Sequence, residues 1–260
     1  MTRWLPIKLP VFWLILISTH ILILRSQNSV MEYYLEEIGQ SYSAVTPFYD
    51  RSLLGFTLEN RYLLKELMHS EFLLQGLYKK NAFLFSSCHF GYAHYGEFSC
   101  SVGYARILAK PLAVGINFYY LLDYAFQYRS SHSVTFDFSL YARINENIGM
   151  AISIYNPARL KYGVIGQSLI PMEFEVNLYY KMDKKLLFYC DVSKLLPGYL
   201  NIKWGGYYRP MELFCFSLMA SLKELALNIG LYWRRYTFRF SSSFHYNLGL
   251  SPSFKLTYSF

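Results

Sequence analysis

Apolar and polar residues alternate along most of the chain, in segments of about ten residues separated by short polar turns. The last ten residues show the pattern clearly, since every second position from 254 onward is Phe254, Leu256, Tyr258 and Phe260. Side chains of a strand point alternately to two faces, so these four share one face and polar residues occupy the other. Repeated along a chain, this pattern is typical of a transmembrane β-barrel with apolar side chains toward lipid and polar ones toward the lumen.

The pattern predicts an all-β fold, a closed antiparallel transmembrane β-barrel of about 14 strands within a range of 12–14. Polar breaks such as 79–81, 145–147 and 183–185 separate the alternating runs. A barrel of this size is wider than one that side chains can fill, so its lumen must hold water, a plug or packed polar groups. The predicted strands are 53–63, 68–78, 82–93, 95–106, 111–127, 132–144, 148–156, 171–182, 186–193, 199–209, 212–221, 224–233, 235–246 and 251–260.

The N-terminus has the pattern of an export signal. Arg3 and Lys8 precede an apolar run at 11–24, which is shorter than the roughly 20 residues that a spanning helix needs. Ser26 offers a small residue before a cleavage point, and an uncleaved membrane anchor is the alternative. The predicted organisation is a signal peptide at 1–26, a short lead-in at 27–52 in the barrel mouth, and the barrel at 53–260.

Composition supports the barrel. Hydrophobic residues make up 53% of the chain and aromatic residues 20%, with 26 Tyr and 21 Phe. This aromatic content suits lipid-facing strands with aromatic girdles, whereas a soluble β-sandwich would have to pack many of these rings inside. The formal net charge of +8 could meet anionic lipid headgroups. No basic helix or cluster suggests a nucleic-acid partner.

Charged residues on the polar faces of the strands are the candidate functional groups. Acids in the middle strands and bases toward the C-terminus could set up a transverse field that orients a dipolar solute. The alternative, which we weigh more heavily, is that these groups pair with one another and with the N-terminal segment. The candidates are Asp123, Asp137, Arg143, Glu173, Glu175, Lys181, Asp191, Lys203, Arg234, Arg239, His245 and Lys255.

Catalytic and metal chemistry find little support in the sequence. The histidines fall on different predicted strands with no nucleophile motif, so we expect no enzyme. The four cysteines show no metal-ligand spacing, and we expect neither a metal nor a cofactor. Cys88 and Cys100 flank one predicted hairpin and could form a disulfide in the periplasm, but small apolar side chains on strands are the favoured interpretation.

Several stretches resemble a family of outer-membrane barrels from Bacteroidota with a FadL-like fold, related to PorV and PorQ of the type IX secretion system. The stretches are 59–67, 101–106 with 114–120, 154–157 and 244–254, and together they extend the resemblance over roughly 53–260. The resemblance implies a fourteen-stranded barrel in the outer membrane of a Gram-negative bacterium of the Bacteroidota. Such barrels open with a Gly/Ala/Asn-rich segment, which 30–52 lacks, so the resemblance does not carry a plug over to this chain.

Two functions follow as expectations. The main one is a PorV/PorQ-like scaffold or adaptor for envelope or secretion partners, favoured by short predicted loops and the lack of an evident apolar pocket. The alternative is a FadL-like channel or transporter for a small hydrophobic solute. The expected partners are outer-membrane lipids, the barrel assembly machinery and an envelope protein, and Tyr258 and Phe260 resemble the terminal assembly signal of such barrels.

Overall fold

The computed structural model describes residues 30–38, 41–49, 51–127, 130–161 and 170–260. The predicted signal peptide at 1–26 lies outside the described residues. The described part of the chain contains no helix that is both long enough and apolar enough to cross a membrane.

The chain folds into a closed antiparallel barrel of fourteen strands, as the alternating pattern predicts. Each strand pairs with its neighbours in sequence, and the last strand closes the barrel against the first, with Leu53 opposite Ser259. The strands are β1 (Leu53–Asn60), β2 (Met68–Tyr78), β3 (Asn81–Tyr92), β4 (Tyr95–Ala109), β5 (Leu112–Ala125), β6 (Ser131–Arg143), β7 (Ile148–Tyr155), β8 (Met172–Lys181), β9 (Leu186–Leu196), β10 (Leu200–Met211), β11 (Phe214–Ser221), β12 (Glu224–Trp233), β13 (Tyr236–His245) and β14 (Gly249–Ser259).

The first strand ends earlier than the pattern predicts. The predicted strand continues to 63, but Tyr62 and Leu63 have φ angles of 57° and 59°. A residue in the left-handed region cannot continue an extended strand, so the chain turns away into 3₁₀ turns before β2 begins.

The two ends of the barrel differ. Both termini of the barrel and six short hairpin turns lie at one end, which we call the turn end. The longer connections, at 61–67, 126–130 and 156–171, lie at the other end, which we call the mouth. In outer-membrane barrels short turns face the periplasm and longer loops face the outside.

Side chains along each strand alternate between the outer surface and the lumen. In β6 the side chains of Val134 and Phe138 are exposed on the outer surface, whereas Thr135, Asp137 and Ser139 are buried inside. The same alternation holds in β8, where Phe174 and Leu178 are exposed. Lipid would therefore meet an almost wholly apolar wall.

The cysteines are free. Cys88 lies opposite Ser99 in the β3–β4 ladder, and Cys100 lies opposite Ser87. Adjacent ladder positions point to opposite faces, so one thiol faces the lumen and the other faces outward. A disulfide between Cys88 and Cys100 is therefore not formed.

The N-terminal segment fills the lumen instead of lying at the mouth. It consists of α1 (Val30–Ile38) and a 3₁₀ helix (Ser43–Phe48), and we call the described residues 30–38 and 41–49 the plug. Ala44 and Val45 are fully buried, and α1 contacts β9 and β10 while the 3₁₀ helix contacts β3 to β6. The plug is stabilised in the lumen because its apolar side chains pack against tyrosine rings of the wall. The composition of the N-terminal segment alone did not indicate this position.

Hydrogen bonds dock the 3₁₀ helix of the plug against the wall. The hydroxyl groups of Ser43 and Ser139 are 2.8 Å apart, and the backbone N–H of Ala44 donates to the Ser139 hydroxyl at 2.9 Å. A Cβ atom at Gly115 would lie 2.4 Å from the Ser43 hydroxyl oxygen and 2.7 Å from the Ala44 nitrogen. Glycine at this wall position therefore lets the plug backbone approach closely.

Candidate functional site

A cavity of about 400 Å³ lies between the plug and the wall formed by β8, β9 and β10. The start of β8 supplies Glu173 and Glu175, the second half of β9 supplies Asp191, and the start of β10 supplies Lys203. Because these strand segments lie near the mouth, the cavity sits on the mouth side of the plug. The structure thus brings together four of the twelve charged residues that the sequence pattern selected.

Tyrosine rings form much of the rest of this cavity. Two of the rings belong to the plug and three to the wall: Tyr34, Tyr42, Tyr189, Tyr199 and Tyr207. An aromatic ring offers an apolar face, and its hydroxyl group both donates and accepts hydrogen bonds. The cavity can therefore contact apolar and polar parts of one small molecule.

Three of the four charged side chains of the cavity already have partners on the wall. The Ser153 hydroxyl donates to Glu175 at 3.3 Å, and the Asn177 amide donates to Asp191 at 2.6 Å. The Lys203 ammonium lies 3.5 Å from a Glu224 carboxylate oxygen. These contacts hold the side chains in place around the open volume.

A chain of hydrogen bonds ties the plug to the cavity wall. The Tyr34 hydroxyl donates to the Asn177 side-chain oxygen, and the Tyr42 hydroxyl donates to Asp191 at 3.3 Å. Burial, together with the negative charge of Asp191, raises the pKa of both phenols. Both therefore remain protonated donors, and the linkage of Tyr34, Asn177, Asp191 and Tyr42 stays intact at neutral pH.

Ring packing adds to this attachment. The Tyr34 ring centroid lies 5.3 Å from that of Tyr179, 5.6 Å from that of Tyr189 and 5.4 Å from that of Tyr207. Such distances are typical of favourable aromatic pairs. Next to this cluster, the Arg143 guanidinium lies 5.1 Å from the centroid of Phe48 in the plug. Arg143 is thus a lumen residue that contacts the plug rather than the cavity.

Asp137 lies in a separate buried cluster. The Asn117 amide donates to its two carboxylate oxygens at 3.1 and 2.9 Å, and the Tyr119 hydroxyl donates at 2.5 Å. With its oxygens satisfied by neutral donors, Asp137 joins β5 to β6 and is not in the lining of the cavity.

The remaining predicted lumen residues are spread along the barrel. Asp123 lies near the mouth opposite Glu97, and Lys181 is half-buried at the turn end of β8. Arg239 and Lys255 are buried and lie opposite each other in the β13–β14 ladder. His245 is at the mouth, where its ring lies 6.1 Å from that of Tyr62. None of these five lines the cavity.

The expectation that Arg234 faces the lumen is wrong. Arg234 is exposed in the tight turn between β12 and β13, with a φ of 57°. Its guanidinium lies 5.8 Å from the ring centroid of Trp233 on the outer surface. Alternation does not continue through a turn, so the strand pattern could not place this residue.

The lumen tyrosines are the site residues that sequence reasoning missed. Tyr189 stands between Phe188 and Cys190, and Tyr207 stands next to Tyr208. In such runs the inward ring looks like the outward ones. The available signal was strand parity, since Tyr189 shares its parity with Asp191 and both face inward.

Comparison with solved structures identifies the barrel as FadL-like. The CymD monoaromatic hydrocarbon channel superposes with a TM-score of 0.61 at 10% identity, covering 86% of this chain and 92% of CymD. The Pseudomonas putida toluene transporter TodX superposes with a TM-score of 0.61 at 6% identity, covering 85% of this chain and 93% of TodX. A Pseudomonas aeruginosa FadL homologue superposes with a TM-score of 0.58 at 7% identity, covering 86% of this chain and 93% of the homologue. No protein-family model and no curated protein match the chain.

These matches define the fold. The chain has the fold of the FadL-family outer-membrane barrels. At such low identity the likeness shows the fold alone. It supports neither an origin in Bacteroidota nor the finer resemblance to PorV and PorQ. Within the described ranges, no group of three His, Cys, Asp or Glu side chains is arranged to hold a metal ion.

Proposed function

We propose that this protein is a FadL-like channel for a small solute in the outer membrane of a Gram-negative bacterium. The observation that carries the proposal is the cavity of about 400 Å³ between the plug and the wall on the mouth side. A solute that enters from the mouth meets this cavity first. The proteins that share the fold include a hydrocarbon channel and a toluene transporter, which favours the channel over the scaffold that the sequence analysis ranked first.

The lining suggests the chemistry of the solute. Tyrosine faces provide apolar contact, and Glu173, Glu175 and Asp191 provide hydrogen-bond acceptors. Ligand sites commonly combine an apolar lining with a few placed polar groups. We therefore propose a solute with a small apolar body and at least one hydrogen-bond donor, which is more polar than the hydrophobic solute expected from the resemblance.

Passage beyond the cavity requires the plug to shift. The plug lies across the lumen, and Tyr34 and Tyr42 attach it to β8 and β9. A solute that competes for Asp191 would weaken the attachment of Tyr42. Binding in the cavity and displacement of the plug are therefore coupled through the same carboxylate.

Filling the cavity tests this function. Ser193 lines the cavity from β9, and Ser193→Trp would place a large ring in the open volume. Ile202 of β10 is on the outer surface, so Ile202→Trp adds the same ring where lipid contacts it. Both variants should fold, which heat-modifiable migration in gels can verify.

The measurement is uptake of small aromatic amines and alcohols into vesicles that contain the purified protein. We expect Ser193→Trp to reduce uptake at least tenfold and Ile202→Trp to leave it unchanged. Equal uptake by Ser193→Trp and the wild type, with both folded, would exclude the cavity as the solute path. No uptake by any folded form would favour the scaffold function over the channel.

A further inference from the structure

The turn end of the barrel carries a ring of exposed basic side chains. It comprises eight residues from four hairpins, which we call the basic ring: Lys79, Lys80, Arg106, Lys110, Lys184, Lys185, Arg234 and Arg235. Three exposed acids, Glu146, Asp183 and Glu212, lie in the turns at the same end. One carboxylate oxygen of Asp183 accepts hydrogen bonds within its own turn, from the backbone N–H groups of Lys185 and Leu186 at 2.6 and 2.7 Å.

The basic ring is not neutralised by the protein. Among the residues that the structure describes, none of the eight is in an ion pair. The mouth differs, because Arg61 pairs with Glu59 at 3.4 Å and Lys203 pairs with Glu224 at 3.5 Å. A concentration of exposed cations without ion-pair partners indicates an anionic partner outside the chain.

The position of the basic ring along the barrel axis indicates where this anionic partner lies. Outward-facing aromatic residues lie in the same part of the wall: Tyr78, Tyr104, Tyr180, Tyr208, Trp233 and Tyr236. Lys79 lies 5.2 Å from the Tyr78 ring centroid, and Arg234 lies 5.8 Å from that of Trp233. Aromatic girdles mark the membrane interface of barrels, so the basic groups reach the layer of lipid headgroups.

The distribution around the barrel favours lipid over a protein partner. The cationic hairpins are β2–β3, β4–β5, β8–β9 and β12–β13, which are spread around the closed sheet. A compact acidic protein would contact one sector, whereas annular lipid contacts every hairpin. Phosphate is also a ligand that arginine and lysine bind well.

We propose that the basic ring binds anionic phospholipids, such as phosphatidylglycerol, in the leaflet at the turn end. Each lipid phosphate would lie against one cationic hairpin, and its acyl chains would lie along the apolar wall. This interaction would hold the turn end at a fixed depth in the membrane, independently of any solute in the lumen.

Two tryptophans allow the proposal to be measured. After cleavage at Ser26, tryptophan remains only at Trp204 and Trp233. Trp233 adjoins the basic ring, whereas Trp204 is exposed on the outer surface nearer the mouth end of β10. In Trp204→Phe, fluorescence quenching by brominated phosphatidylglycerol and by brominated phosphatidylcholine reports lipid binding beside the ring. Trp233→Phe supplies the matched control.

We expect phosphatidylglycerol to be favoured about fivefold at Trp233 in low salt, the factor that corresponds to about 1 kcal/mol for one basic residue at an anionic surface. In 1 M salt, where the Debye length is about 3 Å, the ratio should approach one. Trp204 should show no preference. A ratio of one at Trp233 in low salt, or an equal preference at Trp204, would overturn the proposal.

Neutralising the ring gives an independent test. In the Trp204→Phe background, Arg234→Gln with Arg235→Gln, in the hairpin beside Trp233, should bring the ratio close to one. The control carries Lys65→Gln and Lys223→Gln, two changes near the mouth that lower the net charge equally, and should keep the preference. An unchanged ratio in the ring variant would overturn the proposal, and an equal fall in both variants would show that net charge, not the ring, attracts the lipid.

Discussion

Loss of Tyr34 should release the plug from the wall. Tyr34 is fully buried, and its ring contacts Tyr179, Tyr189 and Tyr207 while its hydroxyl donates to Asn177. Tyr34→Ala removes all four contacts. The hydrogen-bonded ladders of the barrel do not include Tyr34, so the barrel should still form.

The magnitude follows from the burial. Truncating a buried aromatic side chain to alanine costs about 3–5 kcal/mol. Because about 1.4 kcal/mol corresponds to a factor of ten, the undocked population of the plug should rise between about a hundredfold and several thousandfold. Tyr34→Phe loses only the hydroxyl hydrogen bond, worth about 1 kcal/mol, and should raise that population about fivefold.

Conductance across planar bilayers measures the result. We expect Tyr34→Ala to show frequent large openings, Tyr34→Phe to show few, and the wild type to be mostly closed. Tyr208→Ala is the control, because Tyr208 is an exposed tyrosine on the outer surface. If Tyr34→Ala folds and conducts like the wild type, the plug does not close the lumen and the reasoning fails.

Three further predictions test the barrel itself. Val176→Arg should reduce the folded fraction in outer membranes, because a charge on the lipid face costs about 2–4 kcal/mol near the midplane, whereas Glu173→Gln and Glu175→Gln in the lumen should fold nearly normally; the reverse order would mean that the faces are inverted. Deleting Phe260 should lower the yield of heat-modifiable protein, since its backbone N–H donates to Ser52 at 3.0 Å where the barrel closes, and an undiminished yield would speak against that role. N-terminal sequencing of the mature protein should begin at Gln27, and recovery of residues 1–26 on the membrane-bound protein would refute cleavage.

The barrel could be predicted from the sequence because its main determinant is local. Every strand must show apolar side chains to lipid and polar ones to the lumen, so the period of two appears within each segment. In β6, for example, odd and even positions alone predict which side chains face lipid (Val134 and Phe138) and which face the lumen (Thr135 and Asp137). The number of strands followed directly, whereas the end of β1 depended on the left-handed backbone of Tyr62, which no side-chain pattern encodes.

The plug and the cavity could not be predicted in the same way. The helix α1 has only nine residues, and it is stabilised by contact with wall residues more than 140 positions away in sequence, such as those of Tyr34 with Asn177 and Tyr179. Glu173, Glu175, Asp191 and Lys203 were identified as lumen residues, but their common cavity exists only because the plug leaves that volume open. Tertiary packing, not local pattern, defines the site.

A reducible disulfide between the plug and the wall tests most directly whether solute passage requires the plug to move. The Ser43 and Ser139 hydroxyl oxygens are 2.8 Å apart, so Ser43→Cys with Ser139→Cys places two thiols where a disulfide can form. Solute uptake into vesicles is then measured on one preparation before and after reduction, with the wild type treated identically. We expect uptake to be lost in the oxidised protein and restored on reduction. Equal uptake in both states, with the disulfide verified, would contradict a channel that the plug closes.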